Sequence, residues 1–418
     1  MRRHPVFQCL LLLGLCGLDA DFADAENWPC WRGPRGDGSS LESGIPLRWN
    51  GPRHENIAWK TRIPGVGHAS PIVWQGRVFL VTCRDDRNER ILLCLDRQTG
   101  EILWERTVAS VPLERKHRLN SFASSTPATD GQSVYVSFLD RKEMLAVAYD
   151  FAGHRRWVTR PGAFSSVHGY CSSVVLFENL VLLNGDHDGD AYLVALDRDT
   201  GKTVWKTPRE NKTRSYSTPI IRQIDGRTQM MLSGSKCVAS YDPQNGSRHW
   251  ILHGPTEQFV ASLVYNGHLL FLTAGFPEHH ILAIRPDGRG DVTQTHVVWR
   301  TEKGCSYVPS PIVSRDGRYF LVVSDEGIAS CFEAATGHRH WMERIGPHFS
   351  ASLVTADGLV HFLSDAGVTT VVRPGSKFDV VARNELGENC YASPAISQGQ
   401  IFFRAEKHLY AVGVAGRE

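Results

Sequence analysis

The stretch NGDHDGDAY, Asn184 to Tyr192, puts Asp186, Asp188 and Asp190 on alternate positions around His187. Hard cations such as calcium take about six to eight oxygen ligands, and alternating carboxylates can supply several. The loop departs from the EF-hand template, because Ala191 stands where that template needs glycine. An Asp- and Gly-rich hairpin turn accounts for the same residues without a metal, so both readings stand. In AGFPEHH, Glu278, His279 and His280 form a poorer zinc set, since adjacent histidines on a strand face opposite ways. There is no G-x-S-x-G elbow and no glycine-rich phosphate loop, and no catalytic residue is assigned.

A second set of residues suits binding. An aromatic ring or a histidine recurs before each of eight apolar strands: His68, Phe122, Tyr170, Tyr216, Phe259, Tyr307, Phe349 and Tyr391. The same loops carry His168 and Glu257, and the cations Arg115, Lys116, Arg118, Arg209, Lys212, Arg214 and Lys303. Gathered at one mouth, His68, His168, Tyr170, Arg209, Tyr216, Glu257, Phe259, Lys303, Tyr307 and Tyr391 would form an aromatic collar with a basic rim. Such a mouth suits a small anionic or carbohydrate-like ligand, or an acidic protein surface. The plainer reading is that the rings plug a channel between packed sheets and the cations are solvated.

These residues meet only if the fold brings eight loops together, and an internal repeat does so. The phrase ALDRDTGKTVW ends at Trp205, with variants CLDRQTGEILW at Trp104, SYDPQNGSRHW at Trp250 and CFEAATGHRHW at Trp341. Tryptophans at 59, 104, 157, 205, 250, 299 and 341 lie 42 to 53 residues apart. A second mark opens each unit: Ser70, Thr126, Ser172-Ser173, Thr218, Ser262, Ser310, Ser352 and Ser393. The eighth follows FDVVAR, where Val380 takes the place of tryptophan. Each unit reads as four short strands without helical periodicity, which is the signature of propeller blades.

Eight marks predict an all-β, eight-bladed propeller of four-stranded antiparallel blades. The lone strand NIAWKT around Trp59 is expected to complete the last blade and close the ring, which removes both free edges. The expected layout is a leader over 1–25, an extension over 26–57 and the propeller over 58–418. In the repeated turn the Asp side chain can accept backbone N–H groups, Gly supplies the positive φ, and Trp wedges against a neighbour. That turn and the variable collar loops fall on opposite faces, so the phrase reads as scaffold.

The phrase A-x-D-x-x-T-G-x-x-x-W resembles the repeat of pyrroloquinoline-quinone (PQQ) type propellers. These include quinoprotein dehydrogenases and outer-membrane assembly lipoproteins. The opening NWPCWRGPRGDG, Asn27 to Gly38, is similar to the start of exported PQQ-like propellers. The resemblance implies two functions. One is a binding or scaffold module in the cell envelope, with an envelope protein or polymer as partner. The other is a PQQ- and calcium-dependent dehydrogenase. Those enzymes pair adjacent cysteines beside the quinone, and this chain has no adjacent cysteines.

Arg2 and Arg3 precede an apolar run from Val6 to Leu18, too short to span a bilayer, and Ala23-Asp24-Ala25 offers a small-x-small cleavage site before Glu26. An exported, periplasmic or secreted protein is expected. Leu15 before Cys16 argues against lipid anchoring there. The net charge of +2 gives no electrostatic footprint for nucleic acid. No later segment approaches membrane length, and a monomer is expected. Eight cysteines remain after the leader without metal-site spacing, and Cys94, Cys237 and Cys331 read as small buried hydrophobes.

Overall fold

The computed structural model describes residues 26–413; the expected leader and the last five residues lie outside them. Eight antiparallel blades of four strands follow one another along the chain, at 72–110, 128–163, 175–208, 220–253, 264–301, 312–344, 354–385 and 395–412. The eighth blade has three strands of its own. The strand Ile57–Arg62 completes it by pairing antiparallel with His408–Val412. Gly413 N donates to Asn56 O at 2.9 Å where the two ends meet. The expected closure is present, and no helix among the described residues is long and apolar enough to cross a membrane. All eight described cysteines are free, and Cys94, Cys237 and Cys331 are buried in strands.

The repeated phrase joins each blade to the next. Asp197 accepts the Thr200 N–H at 2.9 Å and the Thr200 hydroxyl at 2.6 Å, which holds the turn. The indole Nε1–H of the preceding blade's tryptophan then donates to a carbonyl in that turn. Trp59 reaches Arg97 O, Trp104 reaches Phe151 O, Trp157 reaches Arg198 O, and Trp205 reaches Pro243 O; Trp299 and Trp341 do the same to Ala334 O and Gly375 O. The turn glycine lets the ring lie flat on the backbone. Gly201 has φ +70°, and a β-carbon there would stand 2.6 Å from the Trp157 ring. Gly201→Ala is therefore expected to cost about 2 kcal/mol, read as a lower denaturation midpoint, because it adds left-handed strain to a clash.

Two junctions differ: the seventh blade carries Val380 in place of the tryptophan, and Trp250 of the fourth blade does not reach the next turn. The stretched link RPDGRGDVTQTHVVW still joins a hairpin, with His280–Ile284 antiparallel to Val297–Thr301. Within that link the Gly290–Asp291 segment adds a fifth, parallel strand to the outer edge of the fourth blade, beside Trp250 and Ile251. Trp250 is fully buried beneath it and donates to Gln229 Oε1 at 2.8 Å instead of to a neighbouring turn. The link is too long to offer a tight glycine turn, so it covers the indole instead.

The extension runs across the face of short turns. Trp28 bridges to Val73, Pro29 O accepts Thr129 N–H, and Gly38 and Ser40 pair with Thr355. Arg32 is buried under the channel and donates from Nη2 to Pro311 O and Asp37 O at 2.6 Å each, and to Leu353 O at 3.2 Å. Asp37 also pairs with Arg222 at 3.1 Å. The extension therefore ties blades on opposite sides of the ring and closes the channel from below.

Candidate functional site

The Ser/Thr marks form the waist of the channel. From Thr126 onward, each hydroxyl accepts the backbone N–H of its counterpart one blade earlier. The chain runs from Ser70 through Thr126, Ser173, Thr218, Ser262, Ser310 and Ser352 to Ser393, at 2.8 to 3.1 Å per link. A small hydroxyl is what the site needs. It answers a buried N–H where eight inner strands crowd together.

Above this ring lies a cup of about 410 Å³, open toward the variable loops and floored by Trp31. Its walls are the phenols of Tyr216, Tyr307 and Tyr391 and the imidazoles of His68, His117, His168 and His348. These groups hold one another in place. Tyr216 OH lies 2.9 Å from His168 Nδ1 and 2.8 Å from Ser166 Oγ, and His68 packs against Tyr391 at a 39° tilt with centroids 4.8 Å apart. His348 Nδ1 meets Asp365 Oδ2 at 2.5 Å, and Ser350 Oγ donates to the same oxygen. Asp325, the one carboxylate on the wall, accepts backbone N–H groups from Tyr307 and Val308 at 2.9 and 3.1 Å.

Burial sets the charge of the cup. It lowers His68 to about 4, helped by the positive Lys116 and Arg404. It also lowers His168, with Arg214 and His117 adding to the effect. Burial raises Asp325 above the usual carboxylate range and pushes the Tyr307 phenol and the Cys171 thiol up to about 12. At neutral pH, His68 and His168 are therefore uncharged, as are the phenols and the thiol. Beside the Asp325 carboxylate, the cup thus offers ring faces and the neutral hydrogen-bonding groups of these side chains.

The structure divides the sequence-derived set. His68, His168, Tyr216, Tyr307 and Tyr391 line the cup. Tyr170 is buried behind it with its OH on Ser137, and Phe259 is fully buried in the core of the fourth and fifth blades. Glu257 sits outside the cup and pairs with Lys236 at 3.3 Å, and Lys303 is exposed beyond it. Arg209 is buried on Asp186, with Nε to Oδ1 at 2.8 Å. Asp188 pairs with Arg214 at 2.9 Å and Asp190 with Lys212 at 2.6 Å. The three carboxylates thus turn to three different cations and do not converge. Sequence reasoning missed Trp31, His117, Asp325 and His348. Trp31 and Asp325 lay outside the loops searched, while His117 and His348 stood in those loops without being singled out.

A quinone with calcium does not fit this donor set. The wall has one carboxylate, already committed to two N–H groups, and no lysine or arginine to answer acidic substituents. Among the described residues, no three His, Cys, Asp or Glu side chains are arranged to hold a metal ion.

A family model described as outer membrane protein assembly factor BamB matches residues 54–157 and 87–264, together half of the chain. BamB from Moraxella catarrhalis has a similar structure, with TM-score 0.62 and 12% identity over 85% of this chain and 98% of that one. A europium-containing methanol dehydrogenase gives TM-score 0.64 at 12% identity, covering 92% of this chain and 90% of its own. A quinohemoprotein alcohol dehydrogenase from Pseudomonas putida HK5 gives 0.62 at 13%, covering 94% and 81%. At these identities the structural likeness concerns the fold alone. No curated protein matches the chain. The family match extends over the repeats that build the ring, and the chain belongs to the PQQ-repeat propeller family described as outer membrane protein assembly factor BamB.

Proposed function

We propose that this protein is an exported binding module of the cell envelope, whose cup holds the hydroxyl-rich end of an envelope polymer. The observation that carries this reading is the cup itself, walled by neutral phenols and by the uncharged imidazoles of His68 and His168, and closed below by Trp31. A blind cup receives a chain end and cannot thread a chain. Ring faces beside neutral donors and acceptors suit sugar units, which present apolar faces and a rim of hydroxyls. An anionic ligand is less well served, since Arg209, Lys212 and Arg214 each face an aspartate.

The test is calorimetric titration with a panel of neutral oligosaccharides, and with PQQ plus calcium in parallel. Binding of at least one oligosaccharide is expected. Tyr391→Ala should weaken it about tenfold, the equivalent of about 1.4 kcal/mol for one stacked ring. The ring of Tyr391 is partly exposed, so the fold should survive the change. Calcium-dependent quinone binding, or a silent panel, would overturn the proposal. The family match favours a second reading, in which the same face docks a protein partner. Retention of an envelope protein by the wild type and its loss in Tyr391→Ala would support that reading.

A further inference from the structure

We infer that the peptide bond between Ala25 and Glu26 is where the chain is cut during export, and that the α-ammonium group so released is the counter-ion of Glu42. This inference is independent of the cup reading. Glu42 is buried, at 3% exposure, and its carboxylate accepts the backbone N–H groups of Gln398 and Gly399 at 2.6 Å each. No cationic side chain among the described residues lies within ion-pair distance of it. Arg97 feels its charge but donates to the carbonyls of Ser397 and Gln398. A buried carboxylate without a cation is costly. The nitrogen that stands where a cation is needed is Glu26 N, 2.7 Å from Glu42 Oε1.

Every other polar group of Glu26 is also engaged. Its carboxylate meets Arg35 at 2.6 and 2.8 Å and the Leu41 N–H at 2.9 Å, and its carbonyl accepts Ser397 Oγ at 2.6 Å. The residue is thus seated from its own nitrogen onward, immediately after the small-x-small triplet Ala23-Asp24-Ala25. Hydrolysis of the Ala25–Glu26 amide consumes one water. Ala25 leaves with a carboxylate, and the Glu26 nitrogen gains protons to become an ammonium. That turns one N–H donor into a full positive charge on Glu42. The latch fixes the first residue of the segment that carries Trp28, Trp31 and Arg32 under the channel.

The test begins with the full chain expressed with its export signal in a bacterium. The intact mass of the exported protein should correspond to a chain starting at Glu26, and any other start would overturn the inference. The protein beginning at Glu26 is then compared with one carrying two extra residues, Gly-Ser, ahead of it. The extended protein should melt about 3 °C lower. The difference should vanish when both carry Glu42→Gln. Equal midpoints, or a difference that persists in Glu42→Gln, would overturn the latch.

Discussion

Arg209→Ala is expected to destabilise the protein by about 3–5 kcal/mol, because it leaves a buried carboxylate without its charge partner. Asp186 is fully buried and Arg209 nearly so. The guanidinium spends Nε and Nη2 on Asp186, at 2.8 and 3.3 Å, Nη1 on Tyr241 OH at 2.6 Å, and Nη2 also on Gly234 O at 3.0 Å. Ser215 Oγ adds a 2.6 Å bond to the carboxylate. The network closes the third blade onto the fourth just behind the rim. Denaturant unfolding measures the loss. The double variant Arg209→Met with Asp186→Leu should recover most of it, since the cost lies in the orphaned charge. Lys212→Ala, whose ammonium faces the exposed Asp190, should leave the midpoint where it is. An Arg209→Ala protein that unfolds at the wild-type denaturant concentration would show that the ion pair does not hold these blades together. Loss of binding in Arg209→Ala, by the same reasoning, would report unfolding rather than contact with a ligand.

The pairing of Asp186, Asp188 and Asp190 with Arg209, Arg214 and Lys212 shows where sequence reading stops. Both stretches were visible, but three alternating carboxylates look the same whether they turn inward on one cation or outward on three. The difference lies in how the loop of one blade faces the next. The repeat was more legible, because its rule is local: Asp holds the turn, Gly admits the ring, and Trp reaches one blade onward. The Ser/Thr marks were legible as a count of blades, yet their role as a ring of acceptors became clear only once the inner strands stood side by side. The collar was half legible. Tyr216, Tyr307 and Tyr391 reach the cup, whereas Tyr170 and Phe259, equivalent in the repeat, turn into the seams between blades. The floor was illegible. Trp31 reaches the cup through tertiary contacts of an extension that has no repeat to guide it.

Acidification from pH 7 to pH 4.5 is expected to lower the thermal midpoint, and His361→Phe should remove a large share of that loss. His361 lies in the inner half of the seventh blade, 4% exposed, stacked parallel on Trp49 with centroids 6.4 Å apart. Burial lowers it to about 4, against about 6.5 for an unfolded histidine. Between those values the unfolded chain takes up a proton that the folded chain refuses. Stability is therefore fully present above about 6.5 and is lost as pH falls toward about 4. The interval corresponds to about 3 kcal/mol for this one residue. His68, lowered to about 4 by burial in the cup, acts in the same direction. Phenylalanine keeps the ring on Trp49 and removes the proton site, so His361→Phe should show a much shallower decline of the midpoint between pH 7 and 4.5. His68→Phe should flatten it further, since the two rings share no contact and their effects should add. If the decline were unchanged in His361→Phe, the acid sensitivity of the propeller would have to come from His68 or from its carboxylate pairs rather than from His361.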